Sequence, residues 1–159
     1  MKMQDVCSVF HQAGMKQVSS VLASGNILFQ TDATPERLRP DLELALTKWY
    51  EAEVSLFILN KTQLENLLEA VPFESSEEMH IYVFVCEAGF ETTLEQNFQE
   101  QENTFLEEGK IKNDFFFWKV AKGETLKTPF SKILSKKAYQ SKFTSRNLNT
   151  IQKIVAKMK

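Results

Sequence analysis

Ala23-Ser24-Gly25-Asn26-Ile27-Leu28-Phe29 is the sharpest local signal in this chain. Gly25-Asn26 separates two apolar-alternating runs, residues 18–23 and 27–30. Glycine reaches positive φ without a Cβ clash and asparagine tolerates it. A two-residue Gly-Asn connection therefore predicts a type I′ or II′ hairpin, with strands near 18–23 and 27–31. Toward the N-terminus, Val6, Cys7, Phe10 and Ala13 share one face of a helix over 3–13, and Gly14 suits its left-handed end. Toward the C-terminus, Thr34-Pro35 reads as an N-cap with proline at the first helical position. Leu38, Leu42, Leu46 and Trp49 then form one apolar stripe ending near Tyr50. Pro40 lies past the first turn, where it deletes a backbone hydrogen bond, so a kink or a start near Pro40 is expected.

Residues 54–59 are apolar and short, the pattern of a strand buried on both faces. Thr62-Gln63-Leu64-Glu65 is a capping box for a helix carrying Leu64, Leu67, Leu68 and Val71, ended by Pro72-Phe73. After the polar joint Glu74-Ser75-Ser76-Glu77-Glu78, the pattern predicts a strand over 79–86 and an acidic helix over 90–100. A weaker strand is expected at 103–107. The strongest strand signal follows at 114–120, with Phe115-Phe116-Phe117-Trp118. Two helices close the chain, about 129–139 and 146–158.

Composition bounds what such a chain can be. It has 159 residues, 43% of them hydrophobic and 25% charged, which suits one domain or two small subdomains sharing a core. No apolar run approaches the roughly 18 residues of a membrane span, and the N-terminus lacks a signal-peptide pattern. Cys7 and Cys86 read as reduced core thiols, and a cytoplasmic protein is expected. Two Cys and two His make no metal-ligand cluster, so no metal or cofactor is expected.

Charge is unevenly spread. From Lys122 to Lys159 there are ten Lys or Arg against Glu124 alone, a balance of +9 that leaves −11 over the preceding 121 residues. Three readings follow: an internal electrostatic match between the two parts, a basic surface for an anionic partner, or solvated lysines on amphipathic helices.

Four runs occur together in order: Ser24-Gly25-Asn26-Ile27-Leu28-Phe29; Thr62-Gln63-Leu64 through Pro72-Phe73; Thr128-Pro129-Phe130-Ser131-Lys132; and Thr144-Ser145-Arg146-Asn147-Leu148-Asn149-Thr150. Together they resemble the bacterial domain-of-unknown-function family 1697. The resemblance implies an α+β fold of two ferredoxin-like (α/β plait) subdomains in tandem, here 1–73 and 74–159, and it implies no activity. Members of that family usually begin with a strand and a glycine-rich turn before the first helix, whereas this chain starts at that helix. In a βαββαβ unit the opening strand is central. Its absence implies a truncated first subdomain with open strand edges, and three outcomes are open: the given start is late, the sheet closes over the gap, or a partner copy supplies the pairing in a homodimer.

The chemistry sought in the residues is sparse. His11 and His80 pair with no Ser or Cys at a known spacing, and no nucleotide or zinc motif is present. The favoured site is basic: Thr144 and Ser145 as caps of the last helix, with Arg146, Asn147 and Asn149 in its first turn. Ser131 and Lys132 repeat that theme at the preceding helix. Ser131, Lys132, Thr144, Arg146 and Asn147 would then bind nucleic acid, another polyanion or a phosphorylated ligand. The competing reading has the same residues merely capping helices while Arg146 bridges to acidic residues. A second function class is a small-molecule enzyme with a cleft between subdomains near Asn26, Arg146 and Asn149. The aromatic run beside Lys119 and Lys122 raises base stacking on an open sheet, but consecutive aromatics must point to both faces, so at least two enter the core.

Overall fold

Thr34 and Pro35 start the helix that organises the first half of the chain. In the computed structural model, which describes residues 2–101 and 106–158, Thr34 Oγ1 accepts the amide of Arg37 at 3.4 Å. Helix α2 (Pro35–Tyr50) follows without a break at Pro40. Leu38, Leu42 and Leu46 are buried from its first turns onward. Their burial is worth about 1.5–3 kcal/mol each, which outweighs the roughly 3 kcal/mol that an interior proline costs. Trp49, expected on the same stripe, is half exposed.

Helix α1 (Met3–Gln12) supplies Val6, Val9 and Phe10 to the same core, and Gly14 ends it at φ 95°. Strands β1 (Lys16–Val21) and β2 (Asn26–Gln30) form the hairpin. Val21 pairs with Asn26, so the connection is four residues, 22–25, and not the two expected. The Asn26 side chain explains the shift. Its amide donates to Val21 O at 3.0 Å and to Ser24 Oγ at 2.8 Å, which seats Asn26 in the ladder. Leu22 and Gly25 then take the positive φ values, 62° and 89°.

The 54–59 run is half-buried and, among the described residues, joins no ladder, so it is not the doubly buried strand expected. Val54, Leu56 and Ile58 pack on the α1–α2 core. The amide of Val54 donates to Thr47 Oγ1 at 3.3 Å, and that of Leu56 to Glu43 Oε2 at 2.8 Å.

The chain divides into Met1–Thr62 with Lys153–Lys159, and Gln63–Gln152. The sequence placed its joint later, at 73/74. Helix α3 (Lys61–Ala70) precedes the second sheet, whose strands are β3 (Met79–Cys86), β4 (Glu107–Lys112), β5 (Phe115–Ala121) and β6 (Phe143–Asn147). Their order is β4-β5-β3-β6, antiparallel throughout. Helix α4 (Phe90–Gln99) and the short α5 (Pro129–Leu134) carry Leu94 and Phe130 onto Phe84, Phe116 and Trp118. Gly109 is required there. A Cβ at that position would sit 2.7 Å from Phe116 Cζ and 2.8 Å from Phe98 Cδ1.

Of the aromatic run, Phe116 and Trp118 face this core, and Phe117 is fully buried on the opposite sheet face, as are Ile81 and Val83. A base-stacking platform is therefore not formed by these rings. The expected strand at 103–107 falls mostly outside the described residues, and β4 begins only at Glu107. The C-terminal reading needs the larger correction. The helix expected over 129–139 stops at Leu134, with one 3-10 turn at Lys137–Tyr139. The last helix, α6, is Leu148–Lys157. Thr144 and Ser145, expected as its caps, and Arg146 and Asn147, expected in its first turn, instead belong to β6 with Phe143, and the ladder satisfies the free edge of β3.

Candidate functional site

Strand β6 redistributes the residues expected at a helix N-terminus. Thr144 pairs with Val85, Ser145 with Phe84, Arg146 with Val83 and Asn147 with Tyr82. Strand alternation puts Thr144 and Arg146 on the face opposite Phe143. Arg146 Nη1 donates to Thr144 Oγ1 at 2.9 Å and to Ser145 O at 2.7 Å. Burial lowers its pKa from the ordinary arginine value. This guanidinium is a tied, half-buried group and not a helix-first-turn anion clamp.

Asn147 is the residue that caps α6. Its Oδ1 accepts the amide of Asn149 at 2.9 Å, and its Nδ2 is hydrogen-bonded to His80 Nδ1 at 3.2 Å. His80 thus meets an amide and not a nucleophile. Asn149 is exposed. At α5 the amide of Ser131 donates to Thr128 Oγ1 at 3.1 Å, and its hydroxyl donates to Thr128 O at 2.7 Å. Those bonds close a helix of six residues, too short to present an anion site. The five expected ligands are therefore spread over a ladder and two caps, and Lys132 alone among them projects into solvent. Asn26 belongs to the first unit, Arg146 and Asn149 to the second. The Asn26 amide, expected at a cleft, pins its own hairpin.

What the fold does present is the connection from α5 to β6. Lys132, Lys136, Lys137 and Lys142 are exposed along it, and residues 125–159 contain no acid. None of the four makes an ion pair among the described residues. Tyr139 holds the connection against α4. Its hydroxyl is hydrogen-bonded to Asn97 Nδ2, its ring meets Phe90 edge-on at 5.0 Å, and Lys136 Nζ lies 5.6 Å from its centroid. The lysines are thus carried on an anchored segment. Sequence reasoning saw the excess charge but assigned it to capping residues, whose hydroxyls and amides the fold consumes.

Other chemistry is scarce among the described residues. No group of three or more His, Cys, Asp or Glu could hold a metal. Burial, with Glu91 second, pushes the Cys86 thiol up to about 12, so it is a poor nucleophile. A largely apolar groove of about 370 Å³ is lined by Val9, Gln12 and Ala13 of α1 and its end and by Ala45, Lys48 and Trp49 of α2.

Glu107 was missed by sequence reasoning. It is 8% exposed, its Oε2 has no hydrogen-bond partner, and burial raises its pKa. Trp118 Nε1 is likewise buried without a partner. A carboxyl whose folded pKa lies above its unfolded value favours the fold fully below about pH 4.3. That contribution is lost as pH rises through the raised value. Thermal melts should therefore show stability falling over that window, and Glu107→Gln should flatten the fall and raise Tm at pH 8 but not at pH 4.

The two sheets and the split helix pattern define a class: an α+β protein of tandem ferredoxin-like subdomains. The chain belongs to the family of proteins of unknown function called DUF1697, whose model matches residues 1–117. The lysine-bearing connection and β6 lie beyond the matched residues. A solved structure, that of the conserved bacterial protein SP0830 from Streptococcus pneumoniae, is similar with a TM-score of 0.79 at 23% identity. It covers 98% of this chain and 88% of that one. No curated protein matches the chain. No helix among the described residues is long and apolar enough to cross a membrane.

Proposed function

We propose that this protein is a non-enzymatic binder of nucleic acid, using the lysine-bearing connection of the second unit. The observation that supports the reading is four exposed, ion-pair-free lysines on a segment anchored by Tyr139, in a 35-residue stretch without an acid. Acidic neighbours would quench such a cluster internally, and among the described residues these lysines have none in ion-pair contact. Exposed lysines on an ordered segment attract a phosphate backbone through counterion release, without base-specific contacts. The free thiols of Cys7 and Cys86 fit a cytoplasmic protein.

Fluorescence anisotropy with labelled single- and double-stranded DNA and RNA at low salt tests the reading. Binding is expected to weaken linearly in log salt with a slope near −3.6 for four duplex phosphate contacts. Absence of binding at low salt, or binding insensitive to salt, rejects it.

A further inference from the structure

We infer that Glu107 and Trp118 form a proton-linked latch inside the second unit, the ionised carboxylate accepting a hydrogen bond from the indole N–H and losing it on protonation. Glu107 Oε2 and Trp118 Nε1 are both buried without a hydrogen-bond partner. Directly opposed residues of an antiparallel ladder share a sheet face, and here Glu107 opposes Val120 while Gly109 opposes Trp118. Val120 and Trp118 lie in the ring cluster under α4 and α5, so the Glu107 side chain is on that face too. Glu107 and Trp118 are thus diagonal neighbours on adjacent strands. That separation is roughly 7–8 Å, which a long side chain and an aromatic one can bridge.

Other polar groups around them already have partners or lie elsewhere. Among the described residues, Trp118 Nε1 is the one buried side-chain donor of the second unit without a partner. Tyr82, whose ring centroid lies 5.6 Å from that of Trp118, has its hydroxyl 3.5 Å from Thr125 Oγ1. His80 stands in the row of Glu107 but beyond Val120, with its Nδ1 on Asn147 Nδ2. Helix α4 and its C-terminal cap carry Glu91, Glu95 and Glu100, and Glu95 Oε2 accepts the amide of Ile111 at 3.3 Å. The turn after β5 carries Lys122, Glu124 and Lys127, the last two paired at 4.0 Å, and α5 carries the exposed Lys132. Glu108 and Lys119 oppose each other on the other sheet face. Among the described residues no cation makes an ion pair with Glu107. A charge arising on this carboxyl therefore has the Trp118 indole as the unpartnered donor on its own face.

Charge decides when the bond forms. A hydrogen bond to an ionised acceptor is about twice as strong as a neutral one, so deprotonation supplies the pull that the neutral carboxyl lacks. Burial raises the Glu107 pKa, which places closure of the latch above about pH 4.3, the ordinary glutamate value. The bond offsets part of the cost of burying the charge and leaves its sign unchanged, so stability still falls as pH rises.

Indole N–H resonances followed by NMR across a pH series test this on the unaltered chain. The sequence has two tryptophans, and Trp49→Phe, at a half-exposed position, assigns their signals. The Trp118 N–H is expected to move downfield as pH rises, with the same midpoint as the Glu107 carboxyl carbon. Glu107→Gln should abolish the movement. Trp118→Phe, which removes the donor, should raise the Glu107 midpoint further. A Trp118 N–H that does not respond to pH overturns the inference. So does a movement that persists in Glu107→Gln, or a Glu107 midpoint unchanged or lowered in Trp118→Phe. If either variant does not fold, the two midpoints in the unaltered chain decide: coincidence supports the latch and separation overturns it.

Discussion

Replacing Lys132, Lys136, Lys137 and Lys142 together by glutamine is expected to lower nucleic-acid affinity about four-thousandfold at ~0.1 M salt. Each lost phosphate contact forgoes the release of about 0.9 counterion, roughly eightfold in affinity at that salt. The log–log salt slope should flatten by about 0.9 per lysine, so single substitutions should fall on a graded series. All four side chains are exposed and lack ion pairs, so thermal stability should hardly move. Arg146→Ala is the contrast. It deletes bonds to Thr144 Oγ1 and Ser145 O and should lower stability while leaving the salt slope unchanged. If Arg146→Ala flattens the slope and the lysine variant does not, the surface has been assigned to the wrong element.

Phe130→Ala is expected to cost about 3–5 kcal/mol, read as a lower urea midpoint at constant m. Phe130 is fully buried at the start of α5. Its ring lies 5.3 Å from both Phe98 and Trp118, 5.6 Å from Phe116 and 6.3 Å from Phe84. Truncation removes the transfer free energy and leaves a cavity walled by rigid rings that cannot collapse into it. Since a domain holds only about 5–15 kcal/mol in all, the variant should sit near the edge of folding. Phe115→Ala, at a half-buried position of the same strand run, should cost far less. Equal costs for the two would mean that the α4–α5 ring cluster does not hold the second unit together.

Much of this protein was legible from local pattern. Met79–Cys86, Phe90–Gln99 and Phe115–Ala121 lie where their periods put them. So does the Thr34 cap of α2, since a hydroxyl and a proline act within one turn of themselves. The errors fall where distant partners decide. Pro40 stays inside α2 because three leucines around it reach a core built by α1. Asn26 moves the hairpin turn through a side-chain bond that no turn table contains.

Two outcomes belonged to the tertiary structure alone. Residues 54–59 have the apolar, short pattern of a strand, yet a strand exists only with a neighbour, and among the described residues they join no ladder. Residues 143–147 look like the approach to a helix, yet they ladder onto β3 because that edge offers bonds that a helix start cannot. That second outcome moved the candidate site. Charge is a property of composition and was visible at once as +9 over the last 38 residues. Which of those charges face water depends on which hydroxyls, amides and guanidinium the backbone consumes, and only the folded ladder and caps determine that.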